Sequence, residues 1–414
     1  MTEQNAQIGD AVWLKHGEVA RLLALLDRDG EQARVVGGAV RNALLHLAVD
    51  EIDVATTAVP EEVARRVEAA GWKVVPTGID HGTVTVVVDG KPFEVTTLRQ
   101  DVETYGRKAK VAFGRDWRAD AERRDFTINA LSAAADGTIH DYVGGIADIA
   151  ARRVRFIGEA RNRLAEDYLR ILRFFRFHAW YGEGAPDKAG LHACIVARAG
   201  LEMLSRERVS KEILKLLLAP HATPALAVMA ETGLLGAVLG GVPLLASYEN
   251  VAKVEAAAGV VPDAARRLGA LCVLVKEDGE RLAQRLRLSN AEAERLVALD
   301  PWRQVSPARG EQAAHALLYR LGPRSFVDLV LVAWSRAAAG AADASWHALA
   351  TLPQRWTAPR FPLKAADFVR RGLAPGPALG TAMRAAEQAW IAADFTDDCA
   401  AVEAIADRAA RETA

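Results

Sequence analysis

The sequence predicts an α+β protein: a head built on a mixed β-sheet with helices, followed by a remainder that is all helical. Three observations carry this. Between Val35 and Leu98, β-branched runs alternate with amphipathic helical stretches and glycine-marked turns. An Asp89-Gly90 pair sits between two of those runs, a strong hairpin signal. From about residue 218 to 414 the pattern is nearly all helical, alanine- and leucine-rich and punctuated by Gly240-Gly241 and by prolines.

Taken in order, residues 17–29 have helical spacing of Val19, Leu22, Leu23, Leu25 and Leu26 and stop at Gly30. Residues 35–56 then read as a β-branched run, a Gly37-Gly38 turn, a short amphipathic helix and a second strand. The glycines let the backbone turn tightly and approach a ligand without a Cβ in the way. The helix they open, with Arg41 in its first turn, offers N–H groups and a positive dipole end to a phosphate. Glu51 and Asp53 lie two apart, so a strand here projects both carboxylates from one face. Such a pair beside a phosphate cradle suits Mg²⁺ ions that clamp a nucleotide's phosphates.

Pro60-Glu61-Glu62 starts a helix that runs to Gly71, followed by strands near Lys73–Val75, Gly82–Val88 and Phe93–Leu98. Glu94, among Phe93, Val95 and Thr97, is either an edge-strand surface residue or a third carboxylate aimed at the same metals. Residues 99–124 mix Arg99, Arg107, Lys108, Lys110, Arg115, Arg118, Arg123 and Arg124 with five acids and show little periodicity. They read as a long loop, either a solvated connection or a mobile basic loop near the substrate. A helix is expected to start near Asp125, placing Asn129 on the same face; two arginines suit phosphates, an Asp and an Asn suit ribose hydroxyls.

Composition excludes several classes. A net charge of −1 over 414 residues gives no global basic field, so nucleic-acid binding must come from local patches. Three widely spaced cysteines form neither a disulfide framework nor zinc-ligand spacing, which fits a reducing cytosol. The nine histidines show no H-x-x-H or H-E-x-x-H pairing. There is no basic-then-apolar leader in the first residues and no 18-residue uncharged apolar run, so a cytoplasmic protein with no membrane contact is expected.

The ordered set Gly37-Gly38-Ala39-Val40-Arg41, Glu51-Ile52-Asp53 and Arg124-Asp125-Phe126-Thr127-Ile128-Asn129-Ala130 resembles the class II CCA-adding tRNA nucleotidyltransferase and bacterial poly(A) polymerase family. Three further motifs follow in order. Asp141-Tyr142-Val143-Gly144-Gly145, with Asp148, resembles the family's flexible segment between head and neck. Glu166-Asp167-Tyr168-Leu169-Arg170-Ile171-Leu172-Arg173 resembles its nucleotide-selecting motif. Leu204-Ser205-Arg206-Glu207-Arg208, with Glu212, resembles its helix-stabilising motif. The resemblance implies a nucleotidyltransferase head over 1–141, a helical neck over 142–217, a helical body over 218–300 and a helical tail over 301–414 that contacts tRNA.

It also implies roles. Glu51 and Asp53 would hold Mg²⁺, with Glu94 as third ligand; Gly37, Gly38 and Arg41 would cradle the triphosphate; Arg124, Asp125 and Asn129 would face sugar and phosphates. Asp167 and Arg170, with Arg173 on the same helix, would select the base. A carboxylate accepts from the exocyclic amino group of cytosine or adenine and a guanidinium donates to a neighbouring ring atom. The implied reaction adds CCA to the 3′ end of tRNA from CTP and ATP with release of pyrophosphate, and no protein partner is expected. An A-adding enzyme or poly(A) polymerase is the alternative within the family, and a non-catalytic RNA-binding protein with an altered metal site is the alternative outside it. The CCA reading is favoured by the Arg99–Arg123 loop, of the kind relatives use to switch from C to A, and by His81-Gly82-Thr83-Val84-Thr85.

Two positions depart from the family pattern. Glu51 stands where Asp is usual, and its extra methylene moves the carboxylate outward by roughly 1.5 Å. Asn42 stands where an acid usually follows the arginine, a milder change. In the helical half, Ser289 or Asn290 is expected to cap a helix, and Arg281, Arg285 and Arg287 are candidate RNA-backbone contacts.

Overall fold

The structure, a computed structural model, describes residues 7, 8, 11–78, 82–105 and 108–413. His81 and Arg107, as well as the first residues, lie outside the described residues. The chain divides into two compact units, Met1–Val238 and Leu239–Ala414.

The first unit opens with helices α1 (Val12–Lys15) and α2 (Glu18–Leu26), strand β1 (Ala33–Val36), helix α3 (Gly38–Leu44), strand β2 (Asp53–Thr56) and helix α4 (Pro60–Ala69). Strands β3 (Lys73–Gly78), β4 (Thr83–Val88) and β5 (Lys91–Thr97) follow, and Asp89-Gly90 makes the β4–β5 turn with both residues at positive φ. After β6 (Arg99–Tyr105), β7 (Lys108–Phe113) and helix α5 (Trp117–Glu122), the short strands β8 (Ser132–Ala133) and β9 (Ile139–His140) complete the set. Seven strands form one sheet in the order β3-β4-β5-β2-β1-β8-β9, antiparallel throughout except for β2 beside β5. The sheet is mixed, as expected. Alternation within β4 buries Val84, Val86 and Val88, and α2 and α4 bury Leu22, Leu26, Val63 and Val67.

Three local expectations are corrected. Residues 99–113 are not an irregular loop: β6 and β7 pair as an antiparallel hairpin apart from the main sheet. A period-2 signal was present: Arg99, Asp101 and Glu103 alternate with Gln100, Val102 and Thr104, and Lys108 and Lys110 with Ala109 and Val111, but the number of charges made the segment read as a loop. Glu51 does not lie in a strand. Val36, the last residue of β1, pairs with Asp53, and Gly37 then turns the chain away, so Glu51 has no opposite residue to pair with. Finally, no α-helix begins at Asp125. Phe126 bridges to Phe156 in extended geometry, with Thr127 N donating to Arg155 O and Ile157 N to Asp125 O; only a 3₁₀ turn, Thr127–Asn129, follows. Cross-chain pairing around the fully buried Phe126 outweighs the helical preference of the segment.

From Gly145 the unit is helical: α6 (Gly145–Ala150), α7 (Ala160–Glu166), α8 (Leu169–Tyr181), α9 (Lys188–Val196), α10 (Arg206–Leu217) and α11 (Ala222–Glu231). Asp141 ties down the entry to α6 by accepting backbone N–H groups of Val143, Gly144, Gly145 and Ile146. Asp148, fully buried, accepts from Thr127 Oγ1 at 2.6 Å, Arg153 Nε at 2.8 Å and Arg155 Nε at 3.0 Å.

The second unit contains only helices among its described residues. Ser289, rather than Asn290, is the N-cap of the helix Asn290–Val297, in a reciprocal capping box with Glu292. Arg281 is committed internally, donating to the carbonyls of Leu239 and Gly240 at 2.9 and 2.7 Å and to Asp278 at 2.9 Å. Its core carries a buried ion network: Asp328 accepts from Arg266 Nε at 2.9 Å and Arg295 Nε at 2.6 Å, while Glu255 accepts from Arg266 and Arg267. No helix among the described residues is long and apolar enough to cross a membrane.

Candidate active site

The residues expected to act together line one cavity of about 660 Å³ in the first unit. Gly37, Gly38 and Arg41 come from the β1–α3 turn; Glu51 and Asp53 from the entry to β2; Glu94 from β5. Arg124, Asp125 and Asn129 come from the segment after α5, and Asp167, Arg170 and Arg173 from α8 and the residues before it. Segments more than a hundred residues apart in sequence thus meet in one site.

Gly37 has φ +67°, a region open to glycine and strained for other residues. A Cβ there would lie 3.3 Å from Arg124 Nη1. Gly37 N donates to Leu131 O at 3.0 Å, which fixes the turn against the Asn129 segment. Arg41 is buried and spends its guanidinium inside the protein: Nη1 donates to Asn129 Oδ1 at 2.5 Å, and Nη2 to Tyr181 OH at 2.7 Å and Asn42 Oδ1 at 2.9 Å. Its guanidinium carbon lies 3.8 Å from the centre of the Tyr181 ring. Burial lowers its proton affinity to about 10, still high enough to keep the charge at neutral pH. Asn42, the milder departure from the family pattern, bonds both Arg41 and Ala48 O.

The acids sit side by side. In the parallel β2–β5 register Asp53 is paired with Glu94. Asp53 opens to the cavity, yet the protein around it displaces enough water to raise its proton affinity; Glu94 and Glu51 raise it further, and Arg124 opposes them. The mutual repulsion of these three neighbouring carboxylates is of the kind a divalent cation relieves. Among the described residues no three Asp, Glu, His or Cys side chains converge into a preformed metal cage.

The same cavity also carries a cationic cluster. Arg173 Nε donates to Asp125 Oδ2 at 2.7 Å, and Asn129 Nδ2 donates to Asp125 Oδ1 at 3.2 Å. Burial disfavours charge on Asp125, but Arg173 and these hydrogen bonds outweigh it and hold the carboxyl below its usual range. Arg123 and Arg124 are braced by Asp120, and Arg124 Nη1 also reaches Asn129 O at 3.3 Å.

The expected pairing of Asp167 with Arg170 on one helix is not what is found. Helix α7 ends at Glu166, Asp167 is extended at φ −159°, and α8 begins at Leu169. Asp167 caps α8 by accepting from Leu169 N at 3.1 Å and is held by Arg208 of α10, with Nη2 at 2.5 Å from Oδ2. Arg170 instead binds Glu166 and the carbonyl of Arg163 at 2.8 Å. Both side chains still line the cavity.

Arg176 belongs to the arginine-rich stretch around the nucleotide-selecting motif, whereas the wall residues Phe177 and Tyr181 were not singled out by the sequence. The Phe177 ring is flanked by the guanidinium carbons of Arg176 at 4.3 Å, Arg173 at 5.2 Å and Arg41 at 5.4 Å from its centre. Arg176 is fixed by Glu212 Oε2 at 2.5 Å. A signal existed: 170, 173, 177 and 181 recur at helical spacing along one face of α8.

Comparison with known proteins places these features in context. Residues 33–155 match the family described as the poly(A) polymerase head domain, and residues 190–248 match the probable RNA- and SrmB-binding site of polymerase A. The mitochondrial CCA tRNA nucleotidyltransferase 1 of Danio rerio is 34% identical over 379 residues, covering 89% of this chain and 85% of the relative. The corresponding Homo sapiens protein is 32% identical over 378 residues with the same coverage. The crystal structure of the Bacillus stearothermophilus CCA-adding enzyme in complex with CTP superposes with a TM-score of 0.78 at 28% identity, over 95% of this chain and 97% of that one.

Proposed function

The chain belongs to the family of class II CCA-adding tRNA nucleotidyltransferases and bacterial poly(A) polymerases, and we infer from that premise that it adds CCA to the 3′ end of tRNA, taking CTP and ATP as substrates. The observation that carries the residue assignment is the single cavity lined both by the acids of β2 and β5 and by the arginines of α8 and the Arg124–Asn129 segment. Acids and guanidinium groups lining one space suit a nucleoside triphosphate bound at the cationic cluster with its α-phosphate at the acids.

In this reading Gly37 and Gly38 let the backbone approach the triphosphate, and Arg124 and Arg173 neutralise it. Arg41, bonded to Asn129 and Tyr181, acts chiefly by holding the cradle in shape. Asp125 and Asn129, hydrogen-bonded to each other, face the ribose. Asp167 and Arg170 read the base from separate anchors, Arg208 and Glu166. The terminal hydroxyl oxygen of the RNA attacks the α-phosphorus, the bond to the β-phosphate bridging oxygen breaks, and pyrophosphate leaves with the electron pair.

Members of the family use a divalent metal. We assign Mg²⁺ here; Glu51, Asp53 and Glu94, which line the same cavity, would hold it. When bound, the ion would favour loss of the hydroxyl proton and offset charge on the leaving group. The three cysteines are free thiols, which supports a reducing compartment such as the cytoplasm.

The test is incorporation into a tRNA transcript lacking its 3′ CCA, supplied with CTP, ATP or both and Mg²⁺, with the products sequenced. Addition of C, C and A followed by a stop is expected. Adenine alone or a long tail would reassign the protein to the poly(A) branch, and tRNA binding without any incorporation would make it a non-catalytic RNA-binding protein.

A further inference from the structure

Two cavities share one acidic wall. Glu51, Asp53 and Glu94 line the arginine-rich site and also a second cavity of about 940 Å³, within the size range that holds nucleotide-sized ligands. The second cavity has a different character. Its other walls include Trp13 of α1, His16 just after that helix, the acids Glu18 and Asp50, and Lys91 of β5, and no arginine is among its described lining residues. Trp13 is half-buried, and α1 is anchored independently by Leu14, which is 1% exposed.

Phosphoryl-type transfer sets the attacking and leaving oxygens roughly in line across the phosphorus. The guanidinium groups that match a triphosphate, including those of Arg124 and Arg173, lie on the first side of the acids. Pyrophosphate therefore departs on that side, and the attacking hydroxyl arrives from the other. We propose that the Trp13 cavity is the subsite for the 3′-terminal nucleotide of the RNA, with its base stacked on the Trp13 indole. This rests on the nucleotidyl-transfer reading above.

The chemistry of the cavity suits that occupant. A terminal ribose brings an uncharged hydroxyl, not a phosphate, to the acid wall. The preceding phosphate meets Lys91, the one lysine among the described lining residues, which Glu18 tethers at 3.0 Å. Stacking accepts every base because every base has a π-face. Such tolerance is what a growing end requires, since its terminal base changes with each addition, whereas the incoming nucleotide must be read by hydrogen bonds on the arginine side.

The test compares wild type, Trp13→Ala and Trp13→Phe in steady-state incorporation, and in equilibrium binding of CTP without RNA. Trp13→Ala is expected to raise KM for a tRNA transcript ending in CC by about tenfold, with CTP binding unchanged, and Trp13→Phe to restore most of the loss. A transcript ending in 4-thiouridine is expected to cross-link to the peptide carrying Trp13 and His16. The proposal is overturned if Trp13→Ala leaves KM for tRNA unchanged, if it weakens CTP binding instead, or if the cross-link maps elsewhere. Failure of the functional reading itself is separate: wild type would then incorporate nothing.

Discussion

Asp167 is anchored by Arg208, a residue 41 positions further along on a different helix, and not by Arg170 of its own motif. The carboxylate proposed to read the base is thus aimed by α10. Replacing Arg208 with Gln frees Asp167 to rotate without removing it. The expected result is a rise of about tenfold in KM for CTP and ATP and measurable incorporation of UTP or GTP, consistent with the loss of one charge-assisted hydrogen-bond pair. Single-nucleotide incorporation with each of the four triphosphates checks this; unchanged selectivity would mean that Asp167 is positioned by its Leu169 N–H bond alone.

Glu51 lies in the irregular segment before β2, where the backbone has more latitude than in a paired strand. Shortening it to Asp brings the carboxylate back by roughly one bond length. Glu51→Asp is expected to raise the Mg²⁺-supported rate by about tenfold, or ~1.4 kcal/mol in the barrier, and to lower the ratio of Mn²⁺ to Mg²⁺ activity. An unchanged rate under Mg²⁺ would show that the segment already accommodates the longer side chain.

The Asp53–Glu94 pair makes a prediction in two directions. Burial, Glu94 and Glu51 raise the proton affinity of Asp53 above its unfolded value of 3.8. An acid shifted this way favours the fold when protonated, so its ionisation costs stability as pH rises from the unfolded value through the folded one. Glu94→Gln relieves part of that cost. Metal-free Glu94→Gln protein is expected to melt above wild type at neutral pH, with the gain vanishing below about pH 3.8, while Mg²⁺-dependent activity falls roughly 10- to 100-fold. Thermal melts in chelator across pH, paired with incorporation assays, decide it.

Gly37→Ala places a Cβ at φ +67° and 3.3 Å from Arg124 Nη1. The backbone strain is worth roughly 1–2 kcal/mol, and the contact pushes on the cationic cluster. Denaturant unfolding is expected to show that loss, and nucleotide KM to rise with it.

In the second unit, Asp328→Asn takes a charged partner from Arg266 and Arg295, both buried, leaving them Glu255 and Asp263 respectively. Removing one partner of a buried ionic network costs about 3–5 kcal/mol. Chemical denaturation is expected to register a loss of that size, while equilibrium CTP binding to the still-folded protein stays at the wild-type level.

Much of this protein was legible in the chain because local chemistry writes itself into spacing. The Asp89-Gly90 hairpin, the Gly37 turn and the Ser289 cap each require particular residue types at particular backbone angles, and they appear where those residues stand. The family motifs likewise named, in advance, the residues that line one cavity.

What the sequence left open was partnership between distant segments. Alternation within β6 and β7 is carried by charged residues as much as by apolar ones, and it does not say which strand pairs with which. The strand around Glu51 was overextended because nothing local says that β1 ends at Val36, opposite Asp53. Phe126 pairs in extended form with Phe156, thirty residues downstream, against its helical surroundings. Asp167 takes Arg208 because the break after α7 turns it away from Arg170, and Arg41 takes Tyr181 because α8 passes over the β1–α3 turn. Side-chain type fixes what a residue is able to bind, but which partner reaches it first is set by the packed path of the whole chain. Tertiary structure alone decided that.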